Sequence, residues 1–409
     1  MNNQAGVTLP AGWKVLAIGE LCRLRRELIE PSANGSRRYV GLEHLDSGSS
    51  RIKRWDSERG LQSTKHHFQA GDVLYGKLRP YLDKAAIAEW DGVCSTDILT
   101  LEAKPSQADA AFVSFLFHTR DFLAHASATT SGVNHPRTSW TDIATFFHPV
   151  PPLDEQRRIA AVLSNIAAGI EVQGRIVVTL KALKAATLAR LFREGLRGEP
   201  LKQTEIGTIP KSWKLIRLGD HCEVKSGGTP ARDIPAYWGG DIPWVKTSEI
   251  IYRPITSTSE CITRAGLENS SARVFPKGTL LMAMYGQGVT RGKVAFLEID
   301  AATNQACAAL FPTEELDCGY LYVFCAHAYD AIRELGHGAN QKNLSADLIR
   351  QIQLPLPPTL SEQQGIFHVV DSIEKRLLAL DQYAAALRTL FSSLLHSLMT
   401  AKIRVPASL

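Results

Sequence analysis

The sequence lacks the features that mark membrane, secreted or disulfide-bonded proteins. No uninterrupted apolar run approaches the roughly 18 residues that a membrane-spanning helix needs. The start, Met1-Asn2-Asn3-Gln4, has no basic segment followed by an apolar one, so no signal peptide is expected. The seven cysteines are odd in number and include no C-x-x-C pair, which argues against a disulfide framework or a zinc site. We therefore expect a cytoplasmic protein with no membrane partner.

Common catalytic motifs are also missing from the sequence. It contains no G-x-x-x-x-G-K-[ST] phosphate loop, no H-E-x-x-H, no G-x-S-x-G and no Asn-Pro-Pro-aromatic signature. The spacing of Gly286, Gly288 and Gly292 differs from a dinucleotide fingerprint, and these glycines lie between two strand-like runs. The sequence therefore favours a binding protein with no catalytic residue, no cofactor and no metal site. An enzyme with an unrecognised site is the alternative.

Length and charge set wide limits on the function. A chain of 409 residues indicates two or three domains. The formal net charge of +5 and the pI of about 8.8 allow nucleic-acid binding without demanding it.

An internal duplication is the most informative feature of the sequence. The repeated segments occur in the same order in both halves, at an offset that drifts from 200 to 207 residues, which leaves room for few insertions. Leu9-Pro10-Ala11-Gly12-Trp13-Lys14 reappears as Ile209-Pro210-Lys211-Ser212-Trp213-Lys214; Tyr39-Val40 resembles Trp244-Val245; residues 68–74 resemble residues 275–281; and Pro149-Val150-Pro151-Pro152-Leu153-Asp154-Glu155-Gln156 matches Pro355-Leu356-Pro357-Pro358-Thr359-Leu360-Ser361-Glu362-Gln363.

Each half ends in a long helical pattern with a heptad seam. In the second half Ser361 is the expected N-cap, and the seam follows as Ile366, Val370, Ile373, Leu377, Leu380, Ala384, Leu387, Phe391, Leu394 and Leu398. In the first half the same positions are Ile159, Leu163, Ile166, Ile170, Gln173, Val177, Leu180, Lys184, Thr187 and Leu191. A helix of roughly 40 residues is about 60 Å long.

Two apolar stripes of this length need to be covered. We expect the two helices to pair as an antiparallel coiled coil that joins two similar mixed α/β domains, an α+β fold with pseudo-two-fold symmetry. The alternative is that each helix packs only on its own domain.

This arrangement resembles the specificity subunit of type I restriction-modification systems. The resemblance covers almost the whole chain and depends on the two Pro-Pro…Glu-Gln helix starts and the two Trp-x-x-x-x-x-Gly openings. It also depends on Ser226-Gly227-Gly228-Thr229-Pro230 and on residues 338–345 (Gly-Ala-Asn-Gln-Lys-Asn-Leu-Ser). The first half departs from the Ser-Gly-Gly-Thr-Pro pattern, because Arg23-Leu24-Arg25-Arg26 stands there.

The resemblance implies a non-catalytic prokaryotic protein with two target recognition domains. The expected segments are residues 1–150 for the first recognition domain, 151–196 for the first spacer helix, 197–208 for a linker, 209–356 for the second recognition domain and 357–402 for the second spacer helix. Its implied partners are double-stranded DNA, two methyltransferase subunits and ATP-dependent restriction subunits. The implied target has two half-sites at a fixed separation. A coiled-coil scaffold with protein-binding heads is the alternative function.

Polar, basic and aromatic loops after apolar strands are the candidate DNA contacts. Arg can form a bidentate contact with guanine, Asn or Gln with adenine, and Lys is suited to phosphate. In the first domain the candidates are Lys77, Arg79, Tyr81, Lys84, Asn134, His135 and Arg137. In the second domain they are Ser226, Thr229, Lys246, Tyr285, Gln287, Arg291, Lys293, Asn340, Gln341 and Lys342.

Overall fold

The computed structural model describes residues 9–32, 34–286, 289–335 and 343–406. By its internal contacts the chain divides into two units. Unit 1 comprises Met1–Arg175 and Asp381–Leu409, and unit 2 comprises Ile176–Leu380. Each unit is described separately below.

Unit 1 combines three sheets with short helices. Its elements are β1 (Lys14–Ala17), α1 (Ile18–Leu21), β2 (Cys22–Leu24), β3 (Leu28–Ile29), β4 (Arg38–Val40), β5 (Asp56–Ser57), β6 (Lys65–Phe68), β7 (Val73–Gly76), β8 (Ala85–Ile87), β9 (Gly92–Cys94), β10 (Ile98–Ala103), α2 (Ala110–Leu116), α3 (Arg120–Ala128), α4 (Trp140–Ile143) and β11 (Phe147–Val150). The sheets have the orders β1-β11, β2-β10-β7-β8 and β3-β6-β9-β4-β5. Residues such as Val73 and Leu101 point from these strands into the apolar core.

Unit 2 contains the corresponding elements after a hairpin. They are β12 (Leu201–Thr204), β13 (Gly207–Pro210), β14 (Lys214–Arg217), α6 (Leu218–His221), β15 (Cys222–Ser226), β16 (Trp238–Val245), β17 (Glu260–Ile262), α7 (Arg264–Glu268), β18 (Val274–Phe275), β19 (Leu280–Ala283), β20 (Val294–Phe296), β21 (Ala301–Thr303), β22 (Cys307–Pro312), α8 (Cys318–His327), α9 (Tyr329–Glu334), α10 (Ala346–Arg350) and β23 (Gln353–Leu356).

The sheets of the two units have matching strand orders. In unit 2 the orders are β14-β23, β15-β22-β19-β20 and β17-β16-β21-β18, beside the β12-β13 hairpin. The third order corresponds to β5-β4-β9-β6 of unit 1, and in both units the central pair, β4 with β9 and β16 with β21, is parallel. The repeat found in the sequence is therefore a repeat of topology.

A long helix follows the last strand of each repeat: α5 (Leu153–Glu194, 42 residues) after β11 and α11 (Leu360–Met399, 40 residues) after β23. Every position of both predicted seams is buried or half-buried, whereas the outer-face residues Val178, Leu183 and Leu390 are exposed. The seam includes the polar residues Gln173, Lys184 and Thr187 of α5. The 3.5-residue periodicity thus identified the covered face of each helix.

The start of α11 differs from the sequence-based expectation. The helix begins at Leu360, and Thr359 Oγ1 accepts a hydrogen bond of 3.3 Å from the backbone N–H of Glu362. Thr359, not Ser361, therefore caps the helix, because a cap residue precedes the first helical residue.

By length and composition alone, α5 contains a stretch long and apolar enough to cross a membrane. Its ends, however, lie in apolar cores. Ile159 and Leu163 belong to the core of unit 1, and Leu188, Leu191 and Phe192 belong to the core of unit 2. A helix with an apolar seam and both ends in protein cores satisfies the same composition test without a membrane.

Candidate nucleic-acid interface

The two loops predicted to contact DNA in the first domain lie side by side in unit 1. One follows β7 and spans residues 77–84, and the other spans residues 131–138. The backbone N–H of Arg79 donates to the Pro136 carbonyl at 2.7 Å, and that of Thr138 donates to the Lys77 carbonyl at 3.0 Å. Leu78 and Arg137 form a β-bridge between the loops. Residues separated by more than 50 positions in sequence thus share one surface.

Arg137 holds this surface together. Its guanidinium forms a bidentate ion pair with Asp97, with Nε 2.7 Å from Oδ1 and an Nη 3.1 Å from Oδ2. The hydrogen bonds from Arg137 hold the pKa of the Asp97 carboxyl below its ordinary value. Because its guanidinium already binds a carboxylate, Arg137 is better suited to positioning the loop than to hydrogen-bonding a DNA base.

The other candidates on this surface divide into inward-facing and outward-facing side chains. Lys84 Nζ donates to the backbone carbonyl of Leu42, and Lys77 is half-buried. Arg79, Asn134 and His135 are exposed. The outward-facing group is therefore the one placed to meet a ligand.

Two of the three arginines that stand in place of the Ser-Gly-Gly-Thr-Pro pattern in the first half are paired within unit 1. Arg23 forms a bidentate ion pair with Glu102 at 2.9 and 2.6 Å, and Arg25 forms one with Asp72 at 2.8 and 3.1 Å. These side chains link β2 and the residue after it to the neighbouring strands.

In unit 2 the Ser-Gly-Gly-Thr-Pro segment follows β15 and packs closely against the protein. A Cβ atom at Gly227 would lie 2.2 Å from the Thr303 carbonyl oxygen, and one at Gly228 would lie 2.2 Å from the Ser271 carbonyl carbon. Only glycine permits this approach. Thr229 Oγ1 donates to the side-chain oxygen of Gln305, and Ser226 is exposed at the end of β15. The glycines therefore have a packing role, and the flanking Ser226 remains accessible.

Lys246 lies in a charged and aromatic cluster beside this segment. Its Nζ is 2.9 Å from Glu260 Oε1, and Arg232 lies 2.6 Å from the other oxygen of the same carboxylate. The Arg232 guanidinium also covers the ring of Trp238 at 3.8 Å and lies 4.8 Å from Trp244. Hydrogen bonds from Lys246 and then Arg232 hold the pKa of Glu260 below its ordinary value.

The loop between β19 and β20 is the unit 2 counterpart of residues 77–84. Tyr285 is exposed, Lys293 is half-buried, and Arg291 is only 7% exposed. Burial makes the Arg291 side chain poorly placed for DNA. Four predicted contacts, Gln287, Asn340, Gln341 and Lys342, lie outside the described residues.

A Trp–Glu–Arg cluster, in which the tryptophan and glutamate are buried and the arginine is half-exposed, occurs once in each unit, and sequence reasoning missed its role. In unit 1, Trp13 Nε1 donates to Glu155 Oε2 at 3.2 Å, and Arg404 binds the two oxygens of Glu155 at 2.9 and 2.7 Å. Hydrogen bonds from Arg404 lower the pKa of the Glu155 carboxyl and burial raises it; the net effect is a lowered pKa. The signal was present in the sequence, because a buried tryptophan N–H needs an acceptor.

Unit 2 contains the same cluster. Trp213 Nε1 donates to Glu362 Oε1 at 3.4 Å, and Arg197 Nε lies 3.2 Å from Glu362 Oε2. Each cluster thus joins the first turn of a long helix to the residue before the first strand of the repeat, β1 in unit 1 and β14 in unit 2.

The glutamine that follows each of these glutamates fixes the helix start in the same way. Gln156 Oε1 accepts from the backbone N–H of Asp109, and its Nε2 donates to the Gln107 and Pro151 carbonyls. Gln363 makes the equivalent bonds to Asp317, Glu315 and Pro357. The Glu-Gln pair thus has a structural role in both repeats, which explains its fixed spacing from Pro-Pro.

Each unit also has a cavity beside the long helix that ends in it, α5 in unit 2 and α11 in unit 1. In unit 2 the cavity has a volume of about 1050 Å³ and its lining includes Phe192, Arg193 and His327. In unit 1 the cavity has a volume of about 40 Å³ and its lining includes Met399, Thr400 and Thr119. These are equivalent positions of the repeat, so the two cavities occupy the same place in the fold.

Among the described residues one group has the spacing of a metal site: Glu43, His44 and Asp56. His44 Nδ1 accepts a hydrogen bond of 2.9 Å from the Gly41 N–H, and its Nε2 lies 3.5 Å from Asp56. A buried histidine beside an exposed carboxylate accounts for this geometry, and no metal site was expected from the sequence.

Comparison with known proteins agrees with the duplicated fold. The family model described as "Type I restriction modification DNA specificity domain" matches residues 10–182 and again residues 210–385. Two specificity subunits of Methanocaldococcus jannaschii are similar to the chain. The MjaIX subunit is 31% identical over 186 residues, which is 44% of this chain and 42% of the relative. The MjaVIII subunit is 21% identical over 421 residues, which is 98% of this chain and 95% of the relative.

Among solved structures, the type I restriction-modification S subunit from M. genitalium has a TM-score of 0.63 at 16% identity, covering 98% of this chain and 97% of that one. This likeness shows a shared fold over the full length. The alignment to the MjaIX subunit spans less than half of that protein, and the family model matches most of this chain in two successive copies. The chain therefore belongs to the family of type I restriction-modification DNA specificity proteins, the non-catalytic DNA-recognition components of their complexes.

Proposed function

We propose that this chain reads a bipartite DNA target, with one half-site for each unit and a spacer whose length is set by the paired helices. The observation that supports this most directly is the topological repeat, because two equivalent sheets with equivalent loops provide two equivalent reading surfaces. In this proposal the loops 77–84 and 131–138 read one half-site, and the loop between β19 and β20, together with Ser226 and Lys246, reads the other.

Contacts within each unit support antiparallel pairing of α5 and α11. In unit 2, Lys184 of α5 forms an ion pair with Glu374 of α11. Leu188 and Leu191 share a core cluster with Ile366 and Val370. In unit 1, Ile159 and Leu163 share a core cluster with Leu395 and Leu398. Residues late in α5 thus pack with residues early in α11, and residues early in α5 pack with residues late in α11, as in an antiparallel pair.

The outer faces of the same helices support the docking of partner subunits. Several apolar side chains outside the seam are exposed: Val172, Ile176, Val178 and Leu183 on α5, and Val369, Leu378, Tyr383 and Leu390 on α11. Exposed apolar rows beside a coiled-coil seam are suited to additional helices from another protein. We assign these surfaces to two methyltransferase subunits, with ATP-dependent restriction subunits joining the complex.

The direct test reconstitutes the full chain with a methyltransferase subunit and maps the methylated sites. We expect two specific half-sites separated by a spacer of fixed length and non-specific sequence. Inserting one heptad into α5 near Gln173 and one into α11 near Ala384 keeps both seams in phase. At ~1.5 Å per residue this adds about 10 Å, so the spacer should grow by roughly three base pairs while the half-sites stay the same. An unchanged spacer would exclude the ruler role of the helices.

A salt titration distinguishes DNA reading from a scaffold function. Phosphate contacts release counterions, so the affinity for DNA should fall steeply with salt concentration. A scaffold with protein-binding heads would show no specific DNA binding at any salt concentration. Incubating the isolated chain with DNA, Mg²⁺ and S-adenosylmethionine should give no turnover, and turnover would favour the alternative of an enzyme.

A further inference from the structure

A single helical turn, Pro80–Leu82, stands between β7 and β8 on the candidate interface of unit 1. Two residues with left-handed backbone conformations enclose it: Arg79 at φ 51° and Asp83 at φ 53°. Residues other than glycine rarely adopt this conformation, because the Cβ atom crowds the backbone, although aspartate tolerates it better than arginine. Such conformations persist only where the surroundings hold them, and they are concentrated at functional sites.

The protein holds this turn rigidly from behind. Pro80 is buried, and the Asp83 carboxylate lies 2.6 Å from Nδ1 of His118, whose side chain is almost fully covered. The Asp83 carbonyl accepts a hydrogen bond of 2.8 Å from the Gly48 N–H. Together with the bond from Arg79 to Pro136, these contacts fix both ends of the turn. The turn is therefore pre-organised.

What the rigid turn presents to solvent is apolar. Tyr81 is 60% exposed and Leu82 is 39% exposed, and on the adjoining loop Val133 is 98% exposed. Single exposed apolar residues are ordinary. Here two large ones are adjacent on one rigid turn, and a third lies on the loop that is hydrogen-bonded to it. Exposed apolar groups that occur together are typical of binding sites. Packing within unit 1 gives no reason for a strained turn that keeps two large side chains in solvent.

The charges around this patch favour an anionic ligand. Arg79 is exposed, and its side chain makes no hydrogen bond or ion pair with any residue in the described part of the chain. Both carboxylates next to the turn are already paired, Asp83 with His118 and Asp97 with Arg137. A cationic side chain beside an exposed aromatic and an exposed aliphatic one matches duplex DNA better than an apolar protein surface.

We propose that Tyr81 and Leu82 form a wedge that inserts at one base-pair step of the DNA and partly unstacks it, while Arg79 contacts the adjacent phosphate. This inference rests on the proposed DNA-reading function and adds a mechanism to it. Insertion kinks the duplex, and the energy required depends on the sequence, being lowest at flexible pyrimidine–purine steps. The wedge therefore gives unit 1 selectivity at a step where no base edge needs to be hydrogen-bonded.

The wedge can be tested with 2-aminopurine, whose fluorescence rises when the base is unstacked. The full chain is reconstituted with the methyltransferase subunit and bound to its mapped target. 2-Aminopurine replaces each purine of both half-sites and both strands in turn. The methyltransferase gives its own signal where it extrudes its target base. Apart from that position, the wild-type complex should give a several-fold rise at one further step, within the half-site read by unit 1. The double variant Tyr81→Ala/Leu82→Ala should abolish that rise and weaken specific binding roughly ten- to hundredfold, since stacking on an aromatic side chain contributes about 1–3 kcal/mol.

Two further variants control this experiment. Tyr81→Phe keeps the ring and should keep the fluorescence rise. Val15→Ala removes an aliphatic side chain that is 53% exposed on β1 of the same unit and should leave both readouts unchanged. Because Tyr81 and Leu82 project into solvent, the double variant should fold normally, which circular dichroism would verify.

Four outcomes would overturn the wedge. Specific binding by the wild-type complex with no fluorescent position would exclude unstacking while leaving the proposed function intact. If the rise at the further step, away from the extruded target base, persists in the double variant, the unstacking belongs to other residues. Loss of methyltransferase binding with unchanged DNA affinity would make the patch a protein-docking surface. If the wild-type complex shows no salt-dependent DNA binding, the proposed function fails and the wedge fails with it.

Discussion

Lys184 of α5 and Glu374 of α11 form an ion pair inside unit 2, at a seam position where an apolar residue is usual. The other oxygen of Glu374 accepts a hydrogen bond of 2.9 Å from Tyr322 Oη. A charged seam residue that finds its partner on the opposite helix specifies register at some expense of stability. The pair therefore fixes which turn of α5 lies against which turn of α11.

Exchanging these two charges tests the register. Lys184→Glu alone places two carboxylates together, so the free energy of unfolding of unit 2 should fall. The double variant Lys184→Glu/Glu374→Lys should recover part of that loss, with a coupling energy of about 0.5–3 kcal/mol in a double-mutant cycle measured by chemical denaturation. Lys181, an exposed lysine one turn earlier on α5, supplies the matched control Lys181→Glu. Strictly additive effects at positions 184 and 374 would contradict the pairing.

The Trp–Glu–Arg clusters should contribute to stability one unit at a time. Trp13→Phe removes the N–H that donates to the buried carboxylate of Glu155, and hydrogen bonds to charged groups contribute about 1.5–3 kcal/mol. Amide hydrogen exchange should therefore accelerate in the first turns of α5. Trp213→Phe is the matched control and should have its effect at the first turns of α11. Equal acceleration at both helix starts by either variant would show that the clusters are not local.

Arg404→Ala should change how unit 1 responds to acid. Hydrogen bonds from Arg404 hold the pKa of Glu155 below its ordinary value of 4.5. A depressed carboxyl pKa contributes stability above 4.5 that is lost as the pH falls through the folded-state value. The variant should be less stable than the wild type at pH 7, and the difference should shrink towards pH 3. A constant difference from pH 7 to pH 3 would argue against the ion pair as its source.

Arg79 and Arg137 should respond differently to substitution, although they lie on adjoining loops. Arg79→Ala should lower the salt slope of DNA binding by about one if the residue contacts phosphate, and should leave folding unchanged because the side chain is exposed. Arg137→Ala should instead accelerate proteolysis of residues 131–138, because it frees the loop from Asp97. If Arg79→Ala binds DNA with wild-type affinity and salt dependence, the loop is not part of the interface.

His148 should make unit 1 sensitive to acid. Burial lowers the pKa of His148 from 6.5 to about 4, so below pH 6.5 the unfolded chain binds a proton more readily than the folded one. Stability is therefore lost as the pH falls from 6.5 towards 4, by roughly 2 kcal/mol between pH 7 and pH 5. The same strand position in unit 2 is Leu354, so His148→Leu should remove this loss and Leu354→His should introduce it there. Hydrogen exchange of β11 and β23 at the two pH values would measure both effects.

The helix seams and the internal repeat could be predicted from the sequence, because a seam depends on residue spacing along one helix and a repeat is found by comparing the chain with itself. The seam positions of α5 and α11 and the order of repeated segments required only counting along the chain. The direction in which a polar side chain points was not readable. Arg137 turns to Asp97, 40 positions away, and Lys84 turns to the backbone of Leu42. Arg291 is buried. Each of these three residues is basic and was for that reason predicted to contact DNA. Only the tertiary structure shows that its side chain is buried or already bound within the protein.

The arginines of the two Trp–Glu–Arg clusters are exchanged between the repeats. Arg197 ends the first repeat and binds Glu362 of the second, whereas Arg404 ends the second repeat and binds Glu155 of the first. Each repeat supplies the tryptophan and glutamate of its own cluster and the arginine of the other cluster. A chain cut between the repeats would therefore keep each Trp–Glu pair and lose the arginine that binds it.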